Sequence, residues 1–521
     1  MRFTILDCYT DEPAGLGVPP YIGTYPRYIA GAVIQSKNDV SYITIDDIRF
    51  YSKYKKDFNS DEKVDKIIKK ERGKIKTNIK IKNLSKNILK IKDILEKTDV
   101  LIVIAGVHTP GKYLAAIPGT TKEIVDLLEN IKYKGFRLLT GPAAYGSGLY
   151  GGKVSKTVDR DLKEFNLVVK DLEYKFKKIL SNNFTEDVDV KCQYEDIKNI
   201  AVFGARIVRE HPDYPKFVIA EIETSKGCDR KKGCSFCTEP LKFCGTEIRD
   251  TPDIVKEVEE LHNFGVNNFR LGKQSCFFSY GTAKEISFLL RHVKKYAEVL
   301  HIDNINPATV TPEKVEAVVK HCTSGNIAAF GVESFDEQVV KANNLNSDPK
   351  TTYEAVKMLN RFGAVKGKNG MPKFLPGINI LFGLMKENKN THKENMFWLK
   401  KMLDENLLLR RINIRQVVAF PGTRLYDECG NKYIKKNKKN YWSWRDEIRQ
   451  KIDYPMLQKL LPVGTILKKV RTEIYDGKIT FGRQIGTYPL IVGIKGRHEL
   501  DEFVDVKITG HMLRSVTGEI V

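Results

Sequence analysis

The sequence predicts an α/β protein with three parts: an N-terminal doubly wound (Rossmann-like) domain, a central partial or full βα barrel of the TIM type, and a small C-terminal antiparallel β-barrel. Strand-like and helix-like stretches alternate from the N-terminus to about residue 180, and the alternation restarts at Phe217. After Leu461 the pattern changes to short alternating strands between turns. The length of 521 residues agrees with about three domains.

The first predicted domain covers residues 1–180. Its clearest element is the run 99–105, whose uninterrupted apolar side chains are typical of a strand buried on both faces of a parallel sheet. Strands are also predicted at 3–7, 40–45 and 136–140, and lysine-rich amphipathic helices precede the apolar run. A ligand of such a sheet binds at the carboxyl ends of its strands.

A connector over residues 181–215 leads to the predicted barrel, which covers residues 216–455. Its strands are predicted at residues 217–223, 268–271, 327–331, 377–382 and 411–419. Helical patterns separate these strands, so the functional residues are expected in the loops that follow them. Residues 456–521 form the small barrel, with four or five short strands.

Composition excludes several classes of protein. With 41% hydrophobic residues the chain is not mainly disordered, and its longest apolar run, residues 101–107, is far short of the roughly 20 residues that cross a bilayer. No secretory segment follows Met1, so we expect a cytoplasmic protein without a membrane partner. The net charge of +22 favours a polyanion such as nucleic acid as the partner.

Three of the nine cysteines are clustered, and nine thiols without an export signal do not predict a disulfide framework. Cys228, Cys234 and Cys237 follow the first barrel strand, and three thiolates this close can share one metal site. With Cys244 or a histidine as fourth ligand they suit zinc. Without a fourth ligand they suit a 4Fe-4S cluster with one iron open to substrate or cofactor.

The segment Cys234-Ser-Phe-Cys237, preceded by Thr224-Ser-Lys-Gly-Cys228, resembles the cysteine motif of the radical S-adenosylmethionine (SAM) superfamily. Five residues separate the first two cysteines here, where the commonest form of the motif has three. Two later segments are also similar to that superfamily, namely Gly331-Val-Glu-Ser-Phe-Asp336 and Pro421-Gly-Thr423. The resemblance extends over roughly residues 217–426 of the predicted barrel.

This resemblance implies that Cys228, Cys234 and Cys237 bind a 4Fe-4S cluster and that SAM binds its fourth iron. The SAM-contacting residues that it implies are Phe236, Glu333, Ser334 and Pro421. An electron donor such as ferredoxin or flavodoxin would reduce the cluster, and SAM would then yield a radical or support methyl transfer. No general acid or base is assigned.

The N-terminal domain resembles the cobalamin-binding domain that precedes the barrel in one radical SAM subgroup. The similar segments are Asp7-Cys8, Gly17 to Pro20, the strand 99–105 followed by Thr109, and Leu139-Thr-Gly141-Pro142. The resemblance implies that Thr109 and Gly141 contact cobalamin. The cobalt-ligating D-x-H-x-x-G signature is absent after the first strand, so His108 is not predicted to bind cobalt. A doubly wound domain without cobalamin is the alternative.

The C-terminal segment resembles a TRAM domain, the RNA-binding barrel of radical SAM tRNA methylthiotransferases. The resemblance places Phe481, Arg483, Tyr488 and Arg497 on an RNA-binding face, with an ordinary barrel surface as the alternative. Methylthiotransferases carry a second cluster on three N-terminal cysteines. Because only Cys8 and Cys192 precede the barrel, methylthiolation by that route is not expected.

A lysine-rich stretch, residues 431–440, stands before Tyr441-Trp442-Ser-Trp444. Basic residues beside aromatic rings suit contact with phosphates and stacking on bases. A solvated, lysine-rich loop beside a packed tryptophan pair is the equal alternative.

Together these patterns predict a radical SAM enzyme that modifies a nucleoside of RNA, in particular tRNA, by cobalamin-assisted methyl transfer. One alternative is a radical SAM enzyme that acts on a small metabolite or a peptide without cobalamin. The other is a zinc-containing RNA-binding protein without catalytic activity.

Overall fold

The structure is a computed structural model that describes residues 1–10, 18–72, 81–106, 114, 117–145, 162–230, 232–242 and 245–521. The strands are β1 (Arg2–Asp7), β2 (Tyr21–Ile22), β3 (Asp39–Thr44), β4 (Val100–Ile104), β5 (Phe136–Thr140), β6 (Leu167–Val168), β7 (Ile219–Glu223), β8 (Ser225–Gly227), β9 (Thr246–Ile248), β10 (Asn268–Gly272), β11 (Val299–Ile302), β12 (Asn304–Ile305), β13 (Asn326–Glu333), β14 (Phe374–Phe382), β15 (Arg411–Gln416), β16 (Ile466–Asp476), β17 (Ile479–Gln484), β18 (Val492–Lys495), β19 (Phe503–His511) and β20 (Val516–Ile520). The helices are α1 (Thr24–Gln35), α2 (Ile45–Tyr54), α3 (Asp61–Arg72), α4 (Ile91–Lys97), α5 (Thr121–Asn130), α6 (Leu172–Ser181), α7 (Tyr194–Phe203), α8 (Glu239–Lys242), α9 (Thr251–Asn263), α10 (Ala283–Lys294), α11 (Pro312–His321), α12 (Glu337–Asn343), α13 (Pro349–Gly363), α14 (Lys389–Asp404), α15 (Arg424–Cys429), α16 (Lys432–Ile448) and α17 (Tyr454–Leu460).

The chain divides into two compact units. The first comprises residues 1–150, 155–222 and 249–269, and the second comprises residues 151–154, 223–248 and 270–521. The domain boundaries read from the sequence stay a prediction.

The N-terminal sheet of the first unit is parallel and has the strand order β3-β1-β4-β5-β6. Strand β4 is buried along its whole length, as its unbroken apolar sequence predicts. This order is that of a doubly wound sheet, so that part of the predicted fold is confirmed. Its topological switch point lies between β1 and β4, and a ligand crevice is expected beyond their carboxyl ends.

The lysine-rich segment between β3 and β4 forms helices, as predicted. Helix α3 buries only Val64 and Glu71, so its lysines face solvent. Helix α4 buries Ile91 and Leu95, which are four residues apart and therefore lie on one face.

Helix α1 crosses the end of α7 very closely, because two glycines lie at the crossing. A Cβ atom on Gly31 would lie 1.8 Å from the carbonyl oxygen of Ile200, and one on Gly204 would lie 1.8 Å from that of Arg27. Neither position has room for a larger residue.

A buried group of charges joins α1 to α9 in the same unit. Glu257 forms ion pairs with both Arg27 and Arg249, and all three side chains are completely buried. The hydroxyl of Tyr28 donates to Glu257, and Arg249 donates to that hydroxyl. We call Arg27, Arg249 and Glu257 the ionic centre.

The βα repeats of the second unit include an open, parallel sheet with the order β12-β13-β14-β15. This arrangement agrees with the partial form of the predicted βα barrel. The sequence patterns missed β11 and α11, because β11 has four residues and includes His301, so its apolar pattern is short and interrupted.

The C-terminal segment forms the expected small barrel, which is closed and has the order β16-β17-β18-β20-β19. The expectation of a purely antiparallel barrel was wrong for one pair, because β18 and β20 are parallel. The reason is geometric: strand directions cannot alternate all the way around a ring with an odd number of strands. The other four pairs are antiparallel.

Residues 431–440 are mostly helical rather than a loop, because they begin α16. Trp444 of this helix is buried and stacks on His392 with ring centroids 5.2 Å apart, whereas Trp442 is 63% exposed. Among the described residues, none of the helices has the length and apolar composition needed to span a bilayer.

Candidate active site

The cysteine loop, residues 228–237, starts where the short hairpin of β8 and β9 ends. Gly227, the last residue of β8, has a φ of +79°, a backbone conformation that glycine adopts without strain. Cys228, Cys234 and Cys237 are all partly buried free thiols. The sequence therefore folds locally into a turn that carries the three thiols after the first barrel strand.

The three thiols influence one another electrostatically. Burial, with smaller contributions from Glu333 and Cys228, raises the pKa of Cys234 to about 11, although Arg230 acts in the opposite direction. Burial also raises the pKa of Cys237 to about 12, with contributions from Cys234 and Cys228. Burial raises the pKa of Cys228 too. Each thiol therefore keeps its proton at neutral pH until a metal displaces it.

The donor set of the loop suits an iron–sulfur cluster, because thiolate sulfur is the usual ligand of such clusters. Within the described residues, no three His, Cys, Asp or Glu side chains are arranged so that they could hold a metal ion. The assignment of Cys228, Cys234 and Cys237 as ligands stays a prediction.

Arg230 connects the cysteine loop to the segment that follows α12. Its Nη1 donates to the Sγ of Cys234 at 3.2 Å and to the Oδ1 of Asn346 at 3.0 Å. Its Nη2 donates to the carbonyl of Leu345 at 3.2 Å. The guanidinium therefore favours the thiolate form of Cys234 and fixes the side of the loop on which that sulfur lies.

Asn343, at the end of α12, holds the middle of the loop. Its Oδ1 accepts from the Oγ of Ser235 at 2.7 Å and from the N–H of Met385 at 3.1 Å. Its Nδ2 donates to the carbonyls of Val339 and Met385. The N–H of Ser235 donates to the backbone carbonyl of Asn343. We call Asn343 with these partners the amide centre.

Sequence reasoning missed Asn343. The signal was the asparagine-rich segment Asn343-Asn344-Leu345-Asn346, in which Asn344 also donates to the carbonyls of Lys232 and Gly233. Side-chain amides that bond a distant backbone are a common way to fix an irregular loop.

Cys234 and Phe236 pack against a compact apolar cluster. Its buried members are Val339, Leu345, Leu384, Met385, Val417, Ala419, Leu425 and Ile434. These residues come from the ends of the later βα repeats, so the cysteine loop lies beside the segments that the resemblance assigned to SAM.

Glu333 ends β13 in an unusual conformation. Its φ is +64°, and the register between β13 and β14 shifts between Phe330 and Glu333. Such strain in a non-glycine residue is often found at functional positions. Burial raises the pKa of Glu333 to about 8, and Arg415 lowers it only in part. Glu333 is therefore mostly protonated at neutral pH.

Ser334 and Pro421 lie in two turns of the second unit. The Oγ of Ser334 accepts from the N–H of Asp336, and Asp336 rather than Ser334 caps α12. Pro421 and Gly422 form an exposed turn before α15, and the N–H of Leu425 donates to the carbonyl of Ser235. The turn is thus connected to the cysteine loop. Their contacts with SAM stay predictions.

Of the two residues predicted to contact cobalamin, Thr109 lies outside the described residues. Gly141 follows β5 with a φ of +81°, and a Cβ atom there would lie 2.8 Å from the carbonyl oxygen of Ala105. The backbone after β4 and the backbone after β5 therefore approach each other at the carboxyl edge of the N-terminal sheet.

Two residues predicted for the RNA face make contacts within the chain instead. Arg483 pairs with Glu473 through two hydrogen bonds of 2.7 Å. Tyr488 lies with its ring 4.2 Å from the guanidinium of Arg411 and near Asp303, which is itself paired with Arg270. Phe481 is half-buried, and Arg497 donates to the carbonyl of Gly477.

The loop of Tyr488 reaches residues of the βα repeats. The N–H of Thr487 donates to the Nδ1 of His301 at 2.9 Å, and Thr487 is buried. Burial lowers the pKa of His301 to about 4, so this histidine is neutral at pH 7. The small barrel therefore packs against β11 and β15 through the contacts of Thr487 with His301 and of Tyr488 with Arg411.

Comparison with known proteins agrees with this geometry. The family model described as "Radical SAM superfamily" matches residues 222–381, which include the cysteine loop and Glu333. The chain is a radical SAM enzyme, of the superfamily whose members use a 4Fe-4S cluster and SAM.

Within that superfamily the chain belongs to a family of archaeal proteins. It is 42% identical to the uncharacterized protein MJ0274 of Methanocaldococcus jannaschii, over 100% of this chain and 93% of the other. It is 35% identical to an uncharacterized protein of Archaeoglobus fulgidus, over 99% of this chain and 90% of the other.

Two solved structures show the same fold. The radical SAM methyltransferase TsrM of Kitasatospora setae, described with cobalamin and a [4Fe-4S] cluster bound, matches with a TM-score of 0.50 and 11% identity over 82% of this chain and 77% of the other. The cobalamin-dependent SAM radical enzyme OxsB, described with aqua-cobalamin bound, matches with a TM-score of 0.50 and 12% identity over 86% of this chain and 56% of the other.

Proposed function

We propose that the protein is a cobalamin-assisted radical SAM methyltransferase that acts on a nucleoside of RNA, with tRNA as the first candidate. The observation that supports the proposal is the cysteine loop, which carries Cys228, Cys234 and Cys237 and is held by hydrogen bonds from Arg230 to Cys234 and from Ser235 to Asn343. Membership of the radical SAM superfamily sets aside the non-catalytic zinc protein.

In this proposal the three thiolates hold the cluster, and Phe236, Glu333, Ser334 and Pro421 line the SAM site. A bound cluster and SAM supply a low-potential electron and an activated methyl or adenosyl group. A ferredoxin or a flavodoxin is the proposed source of the electron.

The chain's own groups prepare this site. Arg230 stabilises the negative charge that Cys234 acquires when a metal displaces its proton. The apolar cluster around Cys234 and Phe236 excludes water from that side of the loop. Glu333 holds a proton at neutral pH, which it can donate to an acceptor group.

The proposed cobalamin site is the crevice at the switch point of the N-terminal sheet. Its support is the doubly wound order of that sheet and the likeness in fold to two proteins described with cobalamin. Gly141 suits such a site, because a residue without a Cβ permits close backbone approach at the carboxyl edge.

The RNA substrate is supported by the net charge of +22 and by the solvent-facing lysines of α3. A second candidate, a radical SAM enzyme for a small metabolite or peptide, is favoured by one observation. Arg483 and Tyr488, which the resemblance assigned to RNA, are engaged within the chain.

The first experiment is anaerobic purification followed by analysis of iron, sulfide, cobalt and zinc. We expect about four irons and four sulfides per chain together with affinity for cobalamin. Iron with no affinity for cobalamin would remove the methyl-transfer mechanism, and zinc in place of iron would contradict the whole assignment.

Variants test the ligand set. Cys228→Ala, Cys234→Ala and Cys237→Ala should each abolish SAM cleavage, whereas Cys322→Ala, at the end of α11, should not. Cleavage that survives loss of all three clustered cysteines would contradict the assignment.

Binding of tRNA in rising salt separates the substrate classes, because phosphate contacts give a steep salt dependence.

A further inference from the structure

A pocket in the second unit is rich in arginine and lies apart from the cysteine loop. It is formed by the start of β15, by the segment around α17 and by two loops of the small barrel, and it is partly open to solvent. The residues that the argument uses are Leu409, Arg410, Arg411, Asp453, Leu513 and Arg514.

The pocket has more positive charge than its acidic group can neutralise. Arg410, Arg411 and Arg514 line it together with one carboxylate, Asp453. Asp453 already forms an ion pair with Arg449. Among the described residues, no acidic side chain forms an ion pair with Arg410, Arg411 or Arg514.

Several other arginines of this unit form ion pairs. Arg270 pairs with Asp303, Arg471 with Asp501 and Arg483 with Glu473, each in direct contact. The pocket therefore brings together three guanidinium groups that form no ion pair with an acidic side chain of the described residues.

The unpaired arginines repel one another. Burial, together with the nearby Arg411 and Arg514, lowers the pKa of Arg410 to about 10, although Asp453 acts in the opposite direction. Burial likewise lowers the pKa of Arg514 to about 10, with Arg449 and Arg411 adding to the effect. Asp453 offsets this repulsion only in part, because it also pairs with Arg449, and a bound anion would offset it further.

The pocket also has an apolar rim. Leu513 is 42% exposed and the adjacent Met512 is 54% exposed. A flat apolar group attached to the anion would cover these side chains. A guanidinium group can donate two parallel hydrogen bonds to the oxygens of a phosphate. Three guanidinium groups carry more positive charge than the single carboxylate of Asp453 balances.

We propose that this pocket binds a phosphate group, with Arg410, Arg411 and Arg514 as its ligands and Leu513 against the adjoining part of the ligand. The phosphate belongs either to an RNA backbone or to a free phosphorylated compound. The site does not depend on the proposed reaction, because its occupancy is measured without turnover.

The test is equilibrium binding to the full chain of two probes, inorganic pyrophosphate and a short single-stranded RNA, at several salt concentrations. The variants are Arg514→Gln, whose side chain is exposed, and Arg410→Gln. Arg291→Gln is the matched control, because Arg291 is also an exposed arginine of the second unit but does not line the pocket.

We expect Arg514→Gln to weaken pyrophosphate binding by about tenfold or more, the usual worth of a charge-assisted hydrogen bond. If the source is RNA, the same variant weakens RNA binding and lowers the slope of log K against log salt by about one. If only pyrophosphate binding falls, the ligand is a free phosphorylated compound.

Unchanged pyrophosphate binding in Arg514→Gln would overturn the proposal, and so would an equal loss in Arg291→Gln, which would indicate a general charge effect. Arg410 also donates to the carbonyl of Tyr488 at 3.0 Å. If Arg410→Gln unfolds, as shown by circular dichroism, Arg514→Gln decides alone.

Discussion

The ionic centre of the first unit and the amide centre of the second are both completely buried, but they are built from opposite kinds of group. Glu257 neutralises two arginines, and Asn343 makes only uncharged hydrogen bonds. The first joins two helices, whereas the second orients the loop of the proposed cluster.

The difference indicates what each region needs. Removing one partner of a buried ion pair leaves an uncompensated buried charge and strongly destabilises the fold. With both charges present, the pair connects the two helices. An amide has four directional bonding positions and adds no net charge beside the cysteines. Directional neutral bonds thus suit the positioning of a loop whose own charge changes when it binds metal.

The largest expected effect concerns the ionic centre. Glu257→Gln leaves two buried arginines with no carboxylate, which should lower the free energy of unfolding by about 3–5 kcal/mol. Urea denaturation measures the change, and replacement of the exposed Glu129 of α5 by Gln is the control. A loss under about 1 kcal/mol would show that water or backbone replaces the carboxylate.

The next effect depends on pH and concerns Glu387, a buried glutamate of the second unit that forms no ion pair with a cationic side chain of the described residues. Burial raises the pKa of Glu387 to about 7, although the N–H of Gly383 and the amide of Asn437 lower it in part. Because the pKa in the folded state is above the unfolded value, the stabilisation is complete below about pH 4.5 and is lost as pH rises through 7.

Glu387→Gln should therefore remove a pH-dependent loss of up to about 3 kcal/mol between pH 4.5 and pH 8. Urea denaturation across that range measures it, with exposed Glu337→Gln as the control. Parallel pH profiles for wild type and Glu387→Gln would show that the carboxyl does not titrate there.

A smaller change in the free energy of unfolding is expected at the amide centre. The main effect there is on SAM cleavage. Asn343→Ala frees Ser235 and Met385, and we expect a loss of about 10- to 100-fold in SAM cleavage together with a changed cluster spectrum. The matched control is Asn360→Ala. Asn360 bonds Val356 and both backbone groups of Leu408 in the same pattern, but away from the cysteine loop.

If both asparagine variants lower stability equally and neither changes the spectrum, the amide centre is purely structural. A changed spectrum in Asn343→Ala alone supports its positioning role.

The smallest effect is expected for an exposed ion pair of the first unit. Asp93 and Lys97 of α4 are 2.6 Å apart, with both side chains more than half exposed. Asp93→Asn should change the free energy of unfolding by only about 0.3–0.5 kcal/mol, because water screens the pair. A loss as large as that of Glu257→Gln would contradict the idea that burial distinguishes the two pairs.

The sequence predicted features that local patterns encode. The three cysteines are close along the chain, and β4 is a continuous apolar run, so both were visible. Asn343 was not visible, because its contact with Ser235 joins residues 108 positions apart. The same limit applies to Arg483, whose environment depends on Glu473 of the neighbouring strand.

The seating of Tyr488 bears on how this protein can be engineered. A loop between two strands of a small barrel is ordinarily a place where insertions and tags are accepted. Here the loop between β17 and β18 carries Thr487 and Tyr488, which bind His301 and Arg411. In a chimera with a different C-terminal barrel, the new barrel must carry an equivalent loop that contacts His301 and Arg411. Without these contacts the new barrel will not dock on the βα repeats.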